Sequence, residues 1–172
     1  MRKIPKQQQV VLKTRRTKVF LFFAYNKLGD YMIVRYTEKE LDLLARLMRA
    51  EALGEGHLGM LMVGNVGVNR VIANCLDFKN TRSIYDMVYQ SPGGFSGTNS
   101  ALFQSAATTA EKNLAKRVIR GEYFHPATNA LWFYSPGSGN SCKATWYNQA
   151  NSGKYKNHCF YEPAVGVCQE LH

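Results

Sequence analysis

From Thr37 onward the apolar residues recur with the period of a helix. Thr37 and Glu40, three positions on, form a capping box, in which a hydroxyl and a carboxylate satisfy the free N–H groups of a helix start. Leu41, Leu44, Leu47 and Met48 then share one face, and Gly54 and Gly56 end the helix. A second apolar stretch, Met60 to Ile72, contains Gly64 and Gly67 and suits a buried helix packed closely on its neighbours, although each glycine costs about 1 kcal/mol against alanine. Ile84, Met87 and Val88 predict a short third helix. Ser91 to Ser100 is a loop rich in glycine and serine that carries one aromatic, Phe95. Thr108 with Glu111 is a second capping box, followed by Leu114, Ala115, Val118 and Ile119 up to Gly121. The pattern changes in the last fifty residues. Leu131 to Tyr134 reads as a strand, Pro136 to Asn140 as a turn, and Ala144–Tyr147 and His158–Tyr161 as two more strands. Helices first and a small antiparallel sheet afterwards predict an α+β domain.

Composition adds to this mainly through charge. The formal net charge is +10, but residues 1–31 hold eight lysines and arginines against one acid, Asp30. From Met32 onward, 14 of the 22 basic and 11 of the 12 acidic residues remain, a net of +3. The excess therefore belongs to a short leading segment, and a nucleic-acid partner for the domain loses its main support. Within that segment the apolar run Val19 to Tyr25 is far shorter than the roughly 20 residues that span a bilayer, so no transmembrane helix is expected. Three readings remain for it: an uncleaved membrane-surface anchor, a weak export signal without a small-x-small cleavage site, or no biological segment. The last is favoured. Leu28-Gly29-Asp30 can be encoded as TTA GGA GAT, which contains the ribosome-binding stretch AGGAG a suitable distance before Met32. The domain is therefore taken as residues 32–172, with 1–31 as an extension. The four cysteines, Cys75, Cys142, Cys159 and Cys168, have no Cys-x-x-Cys spacing, and the histidines have no ligand spacing. No metal or cofactor is expected. Cys142, Cys159 and Cys168 could pair under oxidising conditions, but free thiols and a fold independent of disulfides are the expectation.

Chemistry concentrates at the end of the first helix. Glu51 lies three residues after Met48, four after Leu47 and seven after Leu44, which places its carboxylate on the apolar stripe. It also falls in the last helical turn, where the backbone dipole is negative. Burial and dipole both disfavour the ionised form and raise the pKa, as a general acid working near neutral pH requires. Glu55 would add like-charge repulsion in the same direction. The alternative is structural: a helix glutamate beside two arginines can pair with Arg49 or Arg46 on a solvated face.

Arg49-Ala50-Glu51-Ala52 with Gly54-Glu55-Gly56 resembles the R-x-E-A/S-x-G-E motif of the SleB/CwlJ cell wall hydrolases. The likeness continues through Val63-Gly64-Asn65-Val66, Asn69-Arg70-Val71, Ile84 to Gln90, Ala130 to Tyr134, Trp146-Tyr147-Asn148 and His158 to Tyr161. The short CwlJ-like form is the nearer match, and it also fits a start at Met32. The resemblance implies a lysozyme-like helical core and cleavage of the glycan strand of spore-cortex peptidoglycan during germination, with Glu51 as the catalytic residue. It further implies synthesis in the mother-cell cytoplasm without a cleaved signal peptide, residence at the spore coat or cortex surface, and a spore-coat protein as a candidate partner. Ordinary glycosidases need two carboxylates, and none of Glu55, Asp77, Asp86, Glu122 and Glu162 is singled out as the second. A lytic transglycosylase needs only one. Phe95, Trp132, Tyr134, Trp146 and Tyr147 are candidates for stacking on sugar rings, with Asn148 and Gln149 to bond hydroxyls; strand alternation should bury about half of the aromatics. Rival readings are a glycan-binding or coat protein without activity, and a stem-peptide amidase, for which no zinc-ligand cluster is apparent.

Overall fold

The computed structural model describes Ala24–Tyr25 and residues 31–171. A two-residue pair, β1 (Ala24–Tyr25) with β2 (Tyr31–Met32), precedes the helices. Helix α1 (Glu38–Ala52) starts at the Thr37–Glu40 capping box, with both reciprocal hydrogen bonds made. Leu41, Leu44, Leu47 and Met48 are all fully buried on its inner face. A 3-10 turn, Leu53–Glu55, makes the corner into α2 (Gly56–Ile72). Every residue from Gly59 to Arg70 is buried, so α2 is the central helix, enclosed on all sides. The expected close packing is seen at Gly64, where an added Cβ would lie 3.0 Å from the Met48 Sδ and from a Val118 methyl. Helices α3 (Ile84–Val88), α4 (Ala101–Gln104) and α5 (Thr109–Ile119) complete the helical layer. The second capping box, Thr108–Glu111, is also formed in full.

Polar residues on α2 hold the irregular segment that leads to the sheet. Asn65 donates to the Glu122 carbonyl and accepts from the Phe124 N–H; Asn69 donates to the carbonyls of Ala127, Thr128 and Ala130. A chain without regular structure can lie against a buried helix only if its backbone groups find such partners. Beyond it lies an antiparallel sheet in the order β3 (Trp132–Tyr134), β6 (His158–Glu162), β5 (Gln149–Tyr155), β4 (Thr145–Trp146). The α+β expectation, a helical core followed by a small C-terminal antiparallel sheet, is met.

Three features depart from the sequence reading. Strand β5 was not expected: Gln-Ala-Asn-Ser-Gly-Lys-Tyr has little strand propensity, and it forms because β6 and β4 supply partners on both sides. Helix α4 lies just beyond a stretch read as loop. The cysteines are not free. Cys75 is bonded to Cys168 and Cys142 to Cys159, across separations of 93 and 17 residues. The first ties the C-terminal segment to the loop after α2, and the second ties the β3–β4 loop to β6. Spacing could not reveal the longer pairing, because only the fold brings those ends together. Among the described residues no helix is long and apolar enough to cross a membrane. The apolar run Val19 to Tyr25 falls almost wholly outside them.

Candidate active site

Glu51 occupies the last turn of α1, at the edge of the buried stripe, and is half-buried. Its Oε1 accepts a hydrogen bond from the Gly97 N–H at 2.5 Å, and the Ser96 side chain bonds the same carboxylate. The loop donating these bonds runs as a 3-10 turn, Ser96–Asn99, directly over the end of α1. Close approach requires glycine there: a Cβ on Gly97 would lie 2.9 Å from Glu51 Oε1 and 3.1 Å from the Ala50 Cβ. Burial raises the Glu51 pKa above its ordinary 4.5; the Gly97 N–H, the charge of Arg70 and the Ser96 bond oppose the rise without cancelling it.

Arg70 is the main element that sequence reasoning missed. It is 5 % exposed, yet among the described residues no salt bridge to it is formed. Its guanidinium donates to the carbonyls of Leu131 at 2.8 Å and Gly93 at 3.2 Å, and lies over the rings of Phe95 at 4.2 Å and Phe78 at 4.9 Å. Burial lowers its pKa to about 9, against the opposing pull of Glu51 and Asp77. One side chain thus joins the start of β3, the glycine-rich loop and the electrostatics of Glu51. The signal was present in the sequence as a lone charge within the apolar run Met60 to Ile72.

The arginines near Glu51 in sequence do not pair with it. Arg46 bridges Asp42 at 3.3 Å. Arg49 is buried, bridges Glu111 at 3.0 Å and donates to the carbonyls of Leu102, Ser105 and Ala106, binding α4 and the start of α5 to α1. Glu55 also differs from expectation. Its carboxylate accepts from the backbone N–H and side-chain amide of Asn157, and its carbonyl accepts from Lys156, at the turn between β5 and β6. It is 6 % exposed and is not among the groups that shift Glu51. Its charge instead favours protonation of His158, whose pKa burial lowers. The expected like-charge push on Glu51 is therefore replaced by a latch between the α1–α2 corner and the sheet.

The aromatic candidates divide. Phe95 is 7 % exposed and packs between Arg70 and Phe133, 6.1 Å between ring centres, so it supports the Gly97 loop from within the core and its ring is not free for a sugar. Trp132 packs on Phe78 at 5.6 Å. Tyr134 of β3, Trp146 of β4 and Tyr147 of the β4–β5 turn form a chain of ring contacts. Asn148 is exposed in the hairpin turn, and Gln149 donates to the Tyr147 carbonyl there. Among the described residues, none of Tyr134, Trp146, Tyr147, Asn148 and Gln149 makes a hydrogen bond or ring contact with Glu51 or the Ser96–Asn99 turn. What faces the Glu51 side of the sheet is Phe133, which meets Phe95, Phe160 and His158. Of the other carboxylates, Asp86 accepts from the Arg82 N–H and Glu122 bridges Arg117. A groove of about 320 Å³ beside α2 and α5, lined in part by Leu53, His57, Met60 and Leu114, does not include Glu51. Among the described residues no group of three or more His, Cys, Asp or Glu side chains is placed to hold a metal.

The chain has clear relatives. The sequence profile described as Cell Wall Hydrolase matches residues 54–161. The cell wall hydrolase CwlJ of Oceanobacillus iheyensis is 57 % identical over 139 residues, 81 % of this chain and 97 % of that protein. The cell wall hydrolase CwlJ of Bacillus subtilis is 46 % identical over 140 residues, 81 % of this chain and 96 % of that one. Two solved structures share the fold. The catalytic domain of Bacillus cereus SleB has a TM-score of 0.57 at 23 % identity, covering 74 % of this chain and 93 % of that one. The catalytic domain of the germination-specific lytic transglycosylase SleB from Bacillus anthracis has a TM-score of 0.58 at 22 % identity, covering 74 % and 97 %. With a profile across most of its length and relatives matched almost end to end, this chain belongs to the cell wall hydrolases of the CwlJ type.

Proposed function

We propose that this protein cleaves the glycan backbone of spore-cortex peptidoglycan during germination, with Glu51 as the general acid. The observation that carries the reading is the Glu51 carboxyl: half-buried at the helix end, raised in pKa, and held by the Gly97 N–H. A carboxylic acid whose pKa is raised holds its proton to higher pH, and it can donate that proton to a glycosidic oxygen as the C1–O bond breaks. None of the groups that shift Glu51 is a second carboxylate. That favours the transglycosylase route. The muramic 6-hydroxyl attacks C1 of its own sugar, the new C1–O6 bond forms, and the hydroxyl proton passes to the Glu51 carboxylate, restoring the acid. Attack from within the same sugar gains a high effective concentration of nucleophile. On the same reading the protein is made in the mother cell, resides at the coat or cortex surface, and is held there by a coat protein.

Two measurements test this. Glu51→Gln keeps shape and hydrogen bonding but has no acidic proton, so muropeptide release from decoated-spore cortex should fall by about 10²–10⁴-fold. Near-normal activity in that variant would remove Glu51 from the mechanism. Mass spectrometry of the products should find 1,6-anhydromuramic ends; reducing muramic ends would require a water-activating base.

A further inference from the structure

Strand register divides the sheet's side chains into two sets. Phe133 pairs with Phe160, Tyr155 with His158, Tyr134 with Cys159, Asn151 with Tyr161 and Trp146 with Gln149. Directly paired residues share a face, and so do residues two apart in one strand. Phe133, His158 and Phe160 therefore look inward, toward Phe95 and the loop that holds Glu51. Trp132, Tyr134, Trp146 and Tyr161 share the opposite face, with Lys154 beside them; Trp132 is covered there by Phe78, and the rest of the face looks outward.

The outward set is continuous. Tyr161 is fully buried and forms the base, its hydroxyl donating to the Lys143 carbonyl at 2.9 Å. Tyr134 stacks on it at 5.7 Å, Trp146 lies 4.7 Å from Tyr134, and Tyr147 lies 4.7 Å from Trp146. Tyr147 is 73 % exposed. It shares a two-residue hairpin turn with Asn148, at φ 49° and 61°. Such turns favour asparagine and glycine, which adopt positive φ cheaply; a bulky side chain there is unusual. Folding alone does not call for an exposed phenol at this tip. The charge around it is mainly positive. Lys143 and Lys154 are exposed, and the one acid in the sheet is Glu162, at the end of β6 opposite Ala150.

We propose that this outer face, centred on Trp146 and Tyr147, is a second glycan-binding surface that holds the enzyme on the anionic peptidoglycan network away from the bond being cut. Stacked aromatic faces suit sugar rings, and exposed lysines beside them suit a polymer that carries lactyl and peptide carboxylates. Because the face is turned away from the side on which Glu51 lies, a sugar bound there is not the sugar at the acid. Two such contacts on one insoluble polymer raise retention through local concentration. The inference rests on peptidoglycan being the substrate.

The test is co-sedimentation with purified insoluble peptidoglycan in a Glu51→Gln background, which reads binding whether or not Glu51 is the acid. Trp146→Ala and Tyr147→Ala should each weaken retention by roughly tenfold, the loss of an aromatic contact. Tyr147→Asn, which suits the turn, should do the same with no loss of melting temperature, so the test survives if Trp146→Ala misfolds. In enzyme with Glu51 intact, the loss on insoluble peptidoglycan should exceed that on short soluble glycan fragments by a similar factor. Unchanged retention would overturn the proposal and leave the face to a protein partner. Equal losses on both substrates would overturn it too, because the residues would then act at the bond being cut.

Discussion

Glu51 and Gly97 are separated by 46 residues and joined by one short hydrogen bond, and two predictions follow from that geometry. The folded pKa of Glu51 lies above its ordinary 4.5. Below 4.5 the folded and unfolded chains both carry the proton, and Glu51 costs nothing. As pH rises through the window between 4.5 and the raised folded value, the unfolded chain loses its proton first and the native state loses stability relative to it. The stability of Glu51→Gln relative to the parent should therefore grow across that window and be flat on either side, as read by urea unfolding at a series of pH values. A gap independent of pH would mean the carboxyl is not held protonated. Parent activity should also fall as pH rises through the same folded pKa. Gly97→Ala tests the contact itself. An added Cβ would meet the free end of the Glu51 side chain, which can move, and the Ala50 Cβ at 3.1 Å, which is fixed on α1, so the loop must give by a few tenths of an ångström. A misplacement of about 1 Å can cost about 100-fold in rate, so activity of the folded protein should fall at least tenfold with only a small drop in melting temperature. Retained activity would show that the loop does not position the carboxyl.

At the scale of elements, the molecule depends on junctions between helix and sheet. Asn65, Asn69 and Arg70 carry one side of the irregular segment before β3, and Glu55 with Asn157 fastens the β5–β6 turn to the α1–α2 corner. Glu55→Ala leaves the Asn157 amide and N–H without their acceptor, a loss of about 1–3 kcal/mol by denaturant unfolding. Activity of the folded fraction should fall far less than in Glu51→Gln, since Glu55 holds the hairpin and does not tune the acid. A loss of activity as deep as that of Glu51→Gln, with stability intact, would return Glu55 to the chemistry. The helices themselves were legible because their signals are local: Thr37–Glu40 and Thr108–Glu111 each cap within four residues. Strand β5 was not legible, since its residues become a strand only when flanked by two partners.

For the whole molecule, the two disulfides replace the expected free thiols. They are nested, Cys142–Cys159 lying inside the span closed by Cys75–Cys168. In the chain-entropy account the longer loop contributes about 4.7 kcal/mol and the shorter about 3 kcal/mol, as separate limits. Reductant should lower the melting temperature, and Cys75→Ala with Cys168→Ala should cost more than the corresponding change at Cys142 and Cys159. Thiol titration of denatured, unreduced protein should find none free; four would restore the original expectation. The leading segment can be tested in the same assay. A chain beginning at Met32 loses the strand pairing of Ala24–Tyr25 but keeps the Ile33 N–H bond to the Ile119 carbonyl. Its stability should change by less than about 0.5 kcal/mol and its activity should be unaffected; a large loss would show that the segment packs on the domain.

The sequence by itself determined where α1 and α5 begin, which face of α1 is buried, and that Glu51 ends that face, because caps and periodicity act over a few residues; α2 starts at Gly56, ahead of the Met60 at which its apolar run begins, and has no side-chain cap to announce it. Gly64 and Gly67 likewise announced the tight packing of α2. Tertiary structure decided what Glu51 meets, since Gly97 and Arg70 reach it only through folding. It also decided that Glu55 turns to the sheet and which cysteines are partners. The outward direction of Tyr134 and Trp146 belongs to it as well: both faces of the sheet carry aromatic side chains, so alternation sorts them into two sets without saying which set faces the helices, and only strand pairing against the helical layer assigns them.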